Sequence, residues 1–326
     1  MTTTRPGDRR RHGWGWLAAL VALAVVAGAA VFLLRSEHSP IVLSERCTVD
    51  VGDTYAQLDL EQAEHATLMA AIAARRGLPA RAVTIAVATA YQESKLRNID
   101  YGDRDSLGLF QQRPSQGWGS PEQIMRPRYA INRFYAALEQ VDGYRAMNVT
   151  EAAQAVQRSA YPGAYADHEA YGRAVASAAT GNSANALTCR IRVPEAGSDE
   201  LRPSGLTATA AGVRKDVRSA FGRVPQGGYA PGGISTGHSA GSKHYDGKAI
   251  DYFFRPVTET SQVAGWTLAH YLVANASRLG VATVIYDGRI WTARRSAQGW
   301  REYAVPDRDG DPDVLAHRDH VHVDVV

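Results

Sequence analysis

Ser242-Lys243-His244-Tyr245-Asp246-Gly247-Lys248-Ala249-Ile250-Asp251 is answered near the C-terminus by Asp319-His320-Val321-His322. Together these stretches supply histidines and a carboxylate in a pattern suited to one metal ion. A catalytic zinc needs three protein ligands and a fourth position left for water, and a His/His/Asp set meets that need. Both stretches also read as strands. Residues 249–254 form an apolar and aromatic run, and residues 321–326 alternate valine with polar side chains. Strands lying side by side would bring ligands far apart in the chain to one point, and Gly247 permits a bend between His244 and Asp251.

The Ser242-x-His244-x6-Asp251 and His320-x-His322 segments resemble those of the zinc peptidases of the D-alanyl-D-alanine carboxypeptidase and LAS group. The likeness spans residues 206–326 and implies that His244, Asp251 and His322 bind one zinc ion. His317-x-x-His320-x-His322 is also similar to the histidine spacing of murein endopeptidases in that group. Several relatives carry an acidic catalytic base three positions before the last histidine, which here is Asp319. Strand periodicity places His320 on the face of His322 and Asp319 on the other, unless the backbone is irregular there. Asp319 and His320 therefore both stand as candidates for proton transfer.

The surrounding pattern is mixed. Residues 207–221 and 261–279 have helical composition, and residues 281–286, 290–292 and 321–326 are strand-like. This predicts an α+β domain with an antiparallel sheet, helices on one face, and the metal at an edge or cleft. His238 lies in the Gly/Ser-rich segment 236–241 and reads as a loop residue rather than as a fourth ligand. The acidic segment 307–313 lacks EF-hand spacing and reads as a solvated loop.

Residues 60–180 carry a different signature. Ala- and Leu-rich runs over 61–76 and 80–96 are separated by Gly77-Leu78-Pro79, and residues 127–141, 150–159 and 164–179 continue the helical pattern. Glu93-Ser94 closes the second run, and Gly108-Leu109-Phe110-Gln111 follows. A carboxylate against an apolar helix wall is a setting for general acid catalysis. Glu-Ser followed by Gly-Leu-Phe-Gln resembles lytic transglycosylases and goose-type lysozymes, which have a helical lysozyme-like fold and cleave the glycan of peptidoglycan. The resemblance implies that Glu93 is the catalytic acid and base, with Ser94, Gln111 and Tyr161 binding substrate. Asp103 and Asp105 depart from that pattern by offering a second carboxylate.

The chain has 326 residues and a net charge of +3, with Lys and Arg dispersed rather than in blocks, so nucleic acid is not an expected partner. Arg5, Arg9, Arg10 and Arg11 precede an uncharged apolar run over 16–34. That run is long enough to cross a bilayer and predicts a single-pass membrane protein with a cytoplasmic N-terminus and an extracytoplasmic bulk. A cleavable signal peptide is the competing reading. Cys47 and Cys189, the two cysteines, are expected to form a disulfide in that compartment.

The expected fold class is multidomain. A basic tail (1–15) leads to a transmembrane helix (16–34), an all-α lysozyme-like domain (47–189), a linker (190–205) and an α+β zinc-peptidase-like domain (206–326). The expected function is a membrane-anchored peptidoglycan hydrolase, with Glu93 cutting glycan and the zinc site cutting peptide. The alternative is a wall-binding scaffold that has lost turnover.

Overall fold

A computed structural model describes residues 44–159 and 163–326. The run over 16–34 and Tyr161 lie outside the described residues. Among the described residues no helix is long and apolar enough to cross a membrane, and this corrects the expected fold class. A second correction concerns the first half, which is not all-α.

The chain opens with strands β1 (Arg46–Val51) and β2 (Thr54–Leu58). Along β1, Cys47 and Val49 are buried while their neighbours are not, the period-two pattern of a strand with one covered face. Five helices longer than a single turn follow among the described residues before the next strand, the first four being α1 (Leu60–Arg76), α2 (Ala80–Ser94), α3 (Pro127–Leu138) and α4 (Val149–Gln157). Asp59 caps α1 by accepting from the Gln62 N–H at 2.8 Å, and the Gln62 side chain returns the bond to the Asp59 N–H. The alanine-rich α2 is buried nearly all round. Helix α5 (Glu169–Ala179) packs along it. Strand β3 (Leu187–Arg190) then returns to pair antiparallel with β1, giving the order β2-β1-β3.

Cys47 and Cys189 face each other in that register and form the expected disulfide, with a sequence separation of 142. In the chain-entropy model, closing a loop of that length contributes about 5 kcal/mol.

The second half begins with α6 (Ala208–Phe221) and contains α7 (Glu259–Ala274). Its strands are β4 (Gln226–Gly227), β5 (Ala249–Phe253), β6 (Val281–Tyr286), β7 (Arg289–Thr292), β8 (Arg301–Glu302) and β9 (His320–Val325). They form one antiparallel sheet in the order β4-β5-β9-β6-β7-β8. The last strand of the chain thus lies in the interior of the sheet. That placement brings C-terminal histidines beside β5.

Residues from Ser44 to Val326 form one compact unit rather than two separate bodies. The halves are joined by specific polar ties. Trp291 donates its indole N–H to the Cys189 carbonyl at 3.0 Å, and Trp300 donates to the Leu187 carbonyl at 2.8 Å. Asp216 on α6 is bonded to Arg128 on α3 and to Tyr271 on α7, as well as to Arg278. Burial would raise the Asp216 carboxyl, but bonds from Arg278 and Tyr271 hold it below the usual range.

His270 is a further tie, fully buried, with Nδ1 2.7 Å from the Ala178 carbonyl. Nδ1–H donates there, and Nε2 has no partner among the described residues. Burial pushes its pKa down to about 4. The unfolded chain takes up this proton near pH 6.5 while the folded one refuses it until about pH 4, so stability falls as pH drops through that window. The expected loss is roughly 3 kcal/mol. Urea titrations at stepped pH should show it, and His270→Gln should flatten the slope. An unchanged slope would place the acid sensitivity elsewhere.

Candidate metal centre

The register of β5 against β9 builds the site. Asp251 pairs with His322, and Phe253 pairs with His320. Directly opposed residues share a sheet face, so Asp251 and His322 project together, with His320 two residues away on the same side. His244 comes from the turn before β5 and is 2% exposed. Its Nδ1 lies 2.8 Å from the Gly228 carbonyl and donates to it, which leaves Nε2 facing Asp251 and His322.

Three donor atoms then form a nearly equilateral triangle. His244 Nε2 is 3.2 Å from Asp251 Oδ1, His322 Nδ1 is 3.0 Å from the same oxygen, and the two nitrogens are 3.1 Å apart. Ligands of a tetrahedral ion with bonds near 2.0–2.1 Å lie about 3.3 Å from one another. The triangle therefore fits a small divalent cation. Hydrogen bonding alone serves it poorly: with His244 Nδ1–H committed to the Gly228 carbonyl, only His322 Nδ1–H is left to donate, and His244 Nε2 and Asp251 Oδ1 face each other as two acceptors. A cation shared by three lone pairs satisfies all three.

Without such an ion, the charges within the cluster compensate each other. Burial would raise the Asp251 carboxyl, but the close contacts with His244 and His322 hold it far below the usual range. Burial works against charge on His322, yet Asp251 and Asp324 outweigh it and push the pKa up to about 9.

His238, His244 and Asp251 also make a set able to hold a metal ion, with ligand atoms all within 4.8 Å of one another. The sequence reading of His238 as a plain loop residue missed this, because nothing in residues 236–241 signals that the loop folds back over the sheet.

Asp319 and His320 act as a pair. Asp319 precedes β9, where the backbone is irregular, and its Oδ1 accepts from His320 Nδ1 at 2.6 Å. Its Oδ2 accepts from Arg255 Nε at 2.6 Å. Burial would raise this carboxyl, and the His320 and Arg255 contacts outweigh it and lower it. His320 Nε2 is turned towards the cluster, 3.9 Å from Asp251 Oδ1. His317 lies beside it with its ring tilted, centroids 4.6 Å apart, and burial and the nearby His320 push its pKa down to about 3. Arg255, His317 and His320 line a cleft of about 380 Å³ together with the three residues of the triangle.

In the first half, Glu93 is half-buried and accepts from the Tyr165 hydroxyl at 2.7 Å. Ser94 is buried, with its hydroxyl 2.8 Å from the Leu109 carbonyl and 3.1 Å from the Ala90 carbonyl. That bond ties the end of α2 to the Gly108–Gln111 loop and gives Ser94 a structural partner. Gln111 has φ +47° and directs its amide at the Tyr101 and Gly108 carbonyls, both at 3.3 Å. Asp105 is taken up by Arg113 at 2.7 Å and by the Ser115 N–H at 2.8 Å. A cleft of about 670 Å³ on this half is lined by Trp118, Arg133, Gln157 and Arg158, and Glu93 is not among its walls.

A family model described as VldE, C-terminal domain, matches residues 202–314. This is a similarity over about a third of the chain. The matched stretch contains His238, His244 and Asp251 and stops short of His317, His320 and His322. Among curated proteins no significant match is found.

Proposed function

We propose that this chain is a zinc-dependent peptidase of the extracytoplasmic compartment, acting on the peptide part of peptidoglycan. The observation that carries the reading is the 3.0–3.2 Å triangle of His244 Nε2, Asp251 Oδ1 and His322 Nδ1. Two imidazoles and one carboxylate suit zinc better than calcium or magnesium, which prefer all-oxygen shells. A zinc ion bound there would supply Lewis acidity and acidify a water molecule towards neutral pKa.

The remaining roles fall to side chains of the chain itself. The Gly228 carbonyl fixes the His244 tautomer, an outer contact of the kind that orients metal-binding histidines. Asp319 receives the Nδ1–H of His320 and so leaves Nε2 as the basic atom facing the cleft. His320 is thus the group that accepts and returns the proton, and Asp319 positions it. A cleft of about 380 Å³ is large enough for a short peptide segment. The disulfide supports an oxidising compartment.

The bond between Tyr165 and Glu93 supports a second, glycan-directed site in the first half, since it holds the carboxylate in a defined orientation. One experiment addresses both halves. Purified peptidoglycan is incubated with wild type, Glu93→Gln and His244→Ala, with and without chelator. His244→Ala and the chelator are expected to stop peptide cleavage while glycan products persist, and Glu93→Gln to do the reverse. Wall binding without products from any of the three would replace this reading with the scaffold alternative.

A further inference from the structure

Of the cleft histidines outside the ligand triangle, one is stacked directly on a ligand. His238 stacks its ring on His244, with centroids 3.9 Å apart and planes 21° from parallel. Its available nitrogen lies within 4.8 Å of the ligand atoms of both His244 and Asp251. This position is held from below. The Tyr245 hydroxyl donates to the His238 carbonyl at 2.6 Å and accepts from the His238 N–H at 3.0 Å. The residue next to a ligand thus clamps both backbone polar groups of His238. The loop itself has little else to stiffen it: no regular element covers residues 231–241, and Gly232, Gly237 and Gly241 all have positive φ.

We infer that His238 is a fourth protein ligand to the metal, and that its loop opens and closes the centre. The inference rests on the metal reading above. Three protein ligands leave a position for an exchangeable molecule, whereas four complete a tetrahedral shell and make the site inert. The His238 nitrogen lies within 4.8 Å of the ligand atoms of His244 and Asp251, against about 3.3 Å between ligands of one tetrahedral ion, so the ring must leave its stack on His244 and turn to enter the shell. With the loop in, the shell is His238, His244, Asp251 and His322, and substrate is shut out. With the loop out, the shell has an open position. Release of the Tyr245 clasp is the step that separates the two.

The test uses the full chain loaded with cobalt(II), whose visible absorption reports its coordination shell, together with zinc affinity by competition with a chelating dye. His238→Ala is expected to bind zinc at least tenfold more weakly and to change the cobalt spectrum. Added imidazole should restore the wild-type spectrum in that variant, which also shows that it is folded. Tyr245→Phe should shift both readouts in the same direction by less. If His238→Ala loads one ion with wild-type affinity and spectrum, His238 is not a ligand and the three-residue centre stands. If wild type takes up no ion at all, the metal reading fails and the inference falls with it.

Discussion

Asp251→Asn is expected to weaken zinc binding by roughly 10²–10³-fold and to abolish peptide cleavage, with the fold retained. The magnitude follows from sharing a structural zinc binding energy of about 10–16 kcal/mol over four ligands, or about 2.5–4 kcal/mol for each. Asparagine keeps the size and one oxygen of the side chain, so the change isolates charge. Asp251 is the hub of the triangle, because its Oδ1 is the atom that both imidazoles approach, at 3.0 and 3.2 Å. It is also 7% exposed, so water cannot replace the lost charge. Competition titration with a chelating dye measures the affinity, and far-ultraviolet circular dichroism checks the fold. Wild-type affinity in the variant would show that the triangle does not hold the ion.

Gly228→Ala is expected to lower zinc affinity by about 10–100-fold without altering any ligand, the range seen when outer contacts of a metal site are lost. Gly228 has φ +81°, and a Cβ placed there would come 2.3 Å from His244 Cε1 and 2.5 Å from its Nδ1. Those atoms belong to a buried ring that has nowhere to retreat. Any shift of the ring also breaks the bond from His244 Nδ1 to the Gly228 carbonyl, and with it the orientation of Nε2. Gly288→Ala is the control. Its φ of +68° imposes the same kind of backbone cost, about 1–2 kcal/mol, but nothing lies within 4 Å of the added carbon. It should lower stability and leave zinc affinity alone. Equal effects of the two substitutions on affinity would show that strain, and not the contact with His244, is responsible.

Several elements are legible in the sequence. The run over 249–254 corresponds to β5, an interior strand buried along most of its length, and the alternation over 321–326 corresponds to β9. The alanine-rich runs near 61–76 and 80–96 correspond to α1 and α2 within two residues at each end. The sheet β2-β1-β3 was missed, although Cys47 and Val49 carry the alternation. Its strands have four to six residues each, and β3 returns from far along the chain, so no local pattern announces the pairing. Ser94, a substrate contact by resemblance, has its hydroxyl against the Leu109 and Ala90 carbonyls. A hydroxyl at a helix end carries no mark of which way it points.

Residue type and spacing alone determined that His244, Asp251 and His322 belong to strand-bearing segments able to meet, because chemistry and periodicity are local properties of a chain. The tertiary structure decided the rest: that β9 inserts between β5 and β6, that Asp319 turns to Arg255 and His320, and that the loop of His238 folds over the cleft. Those outcomes depend on contacts between residues remote in the chain, where packing and shared hydrogen bonds choose among positions that local preference leaves equal.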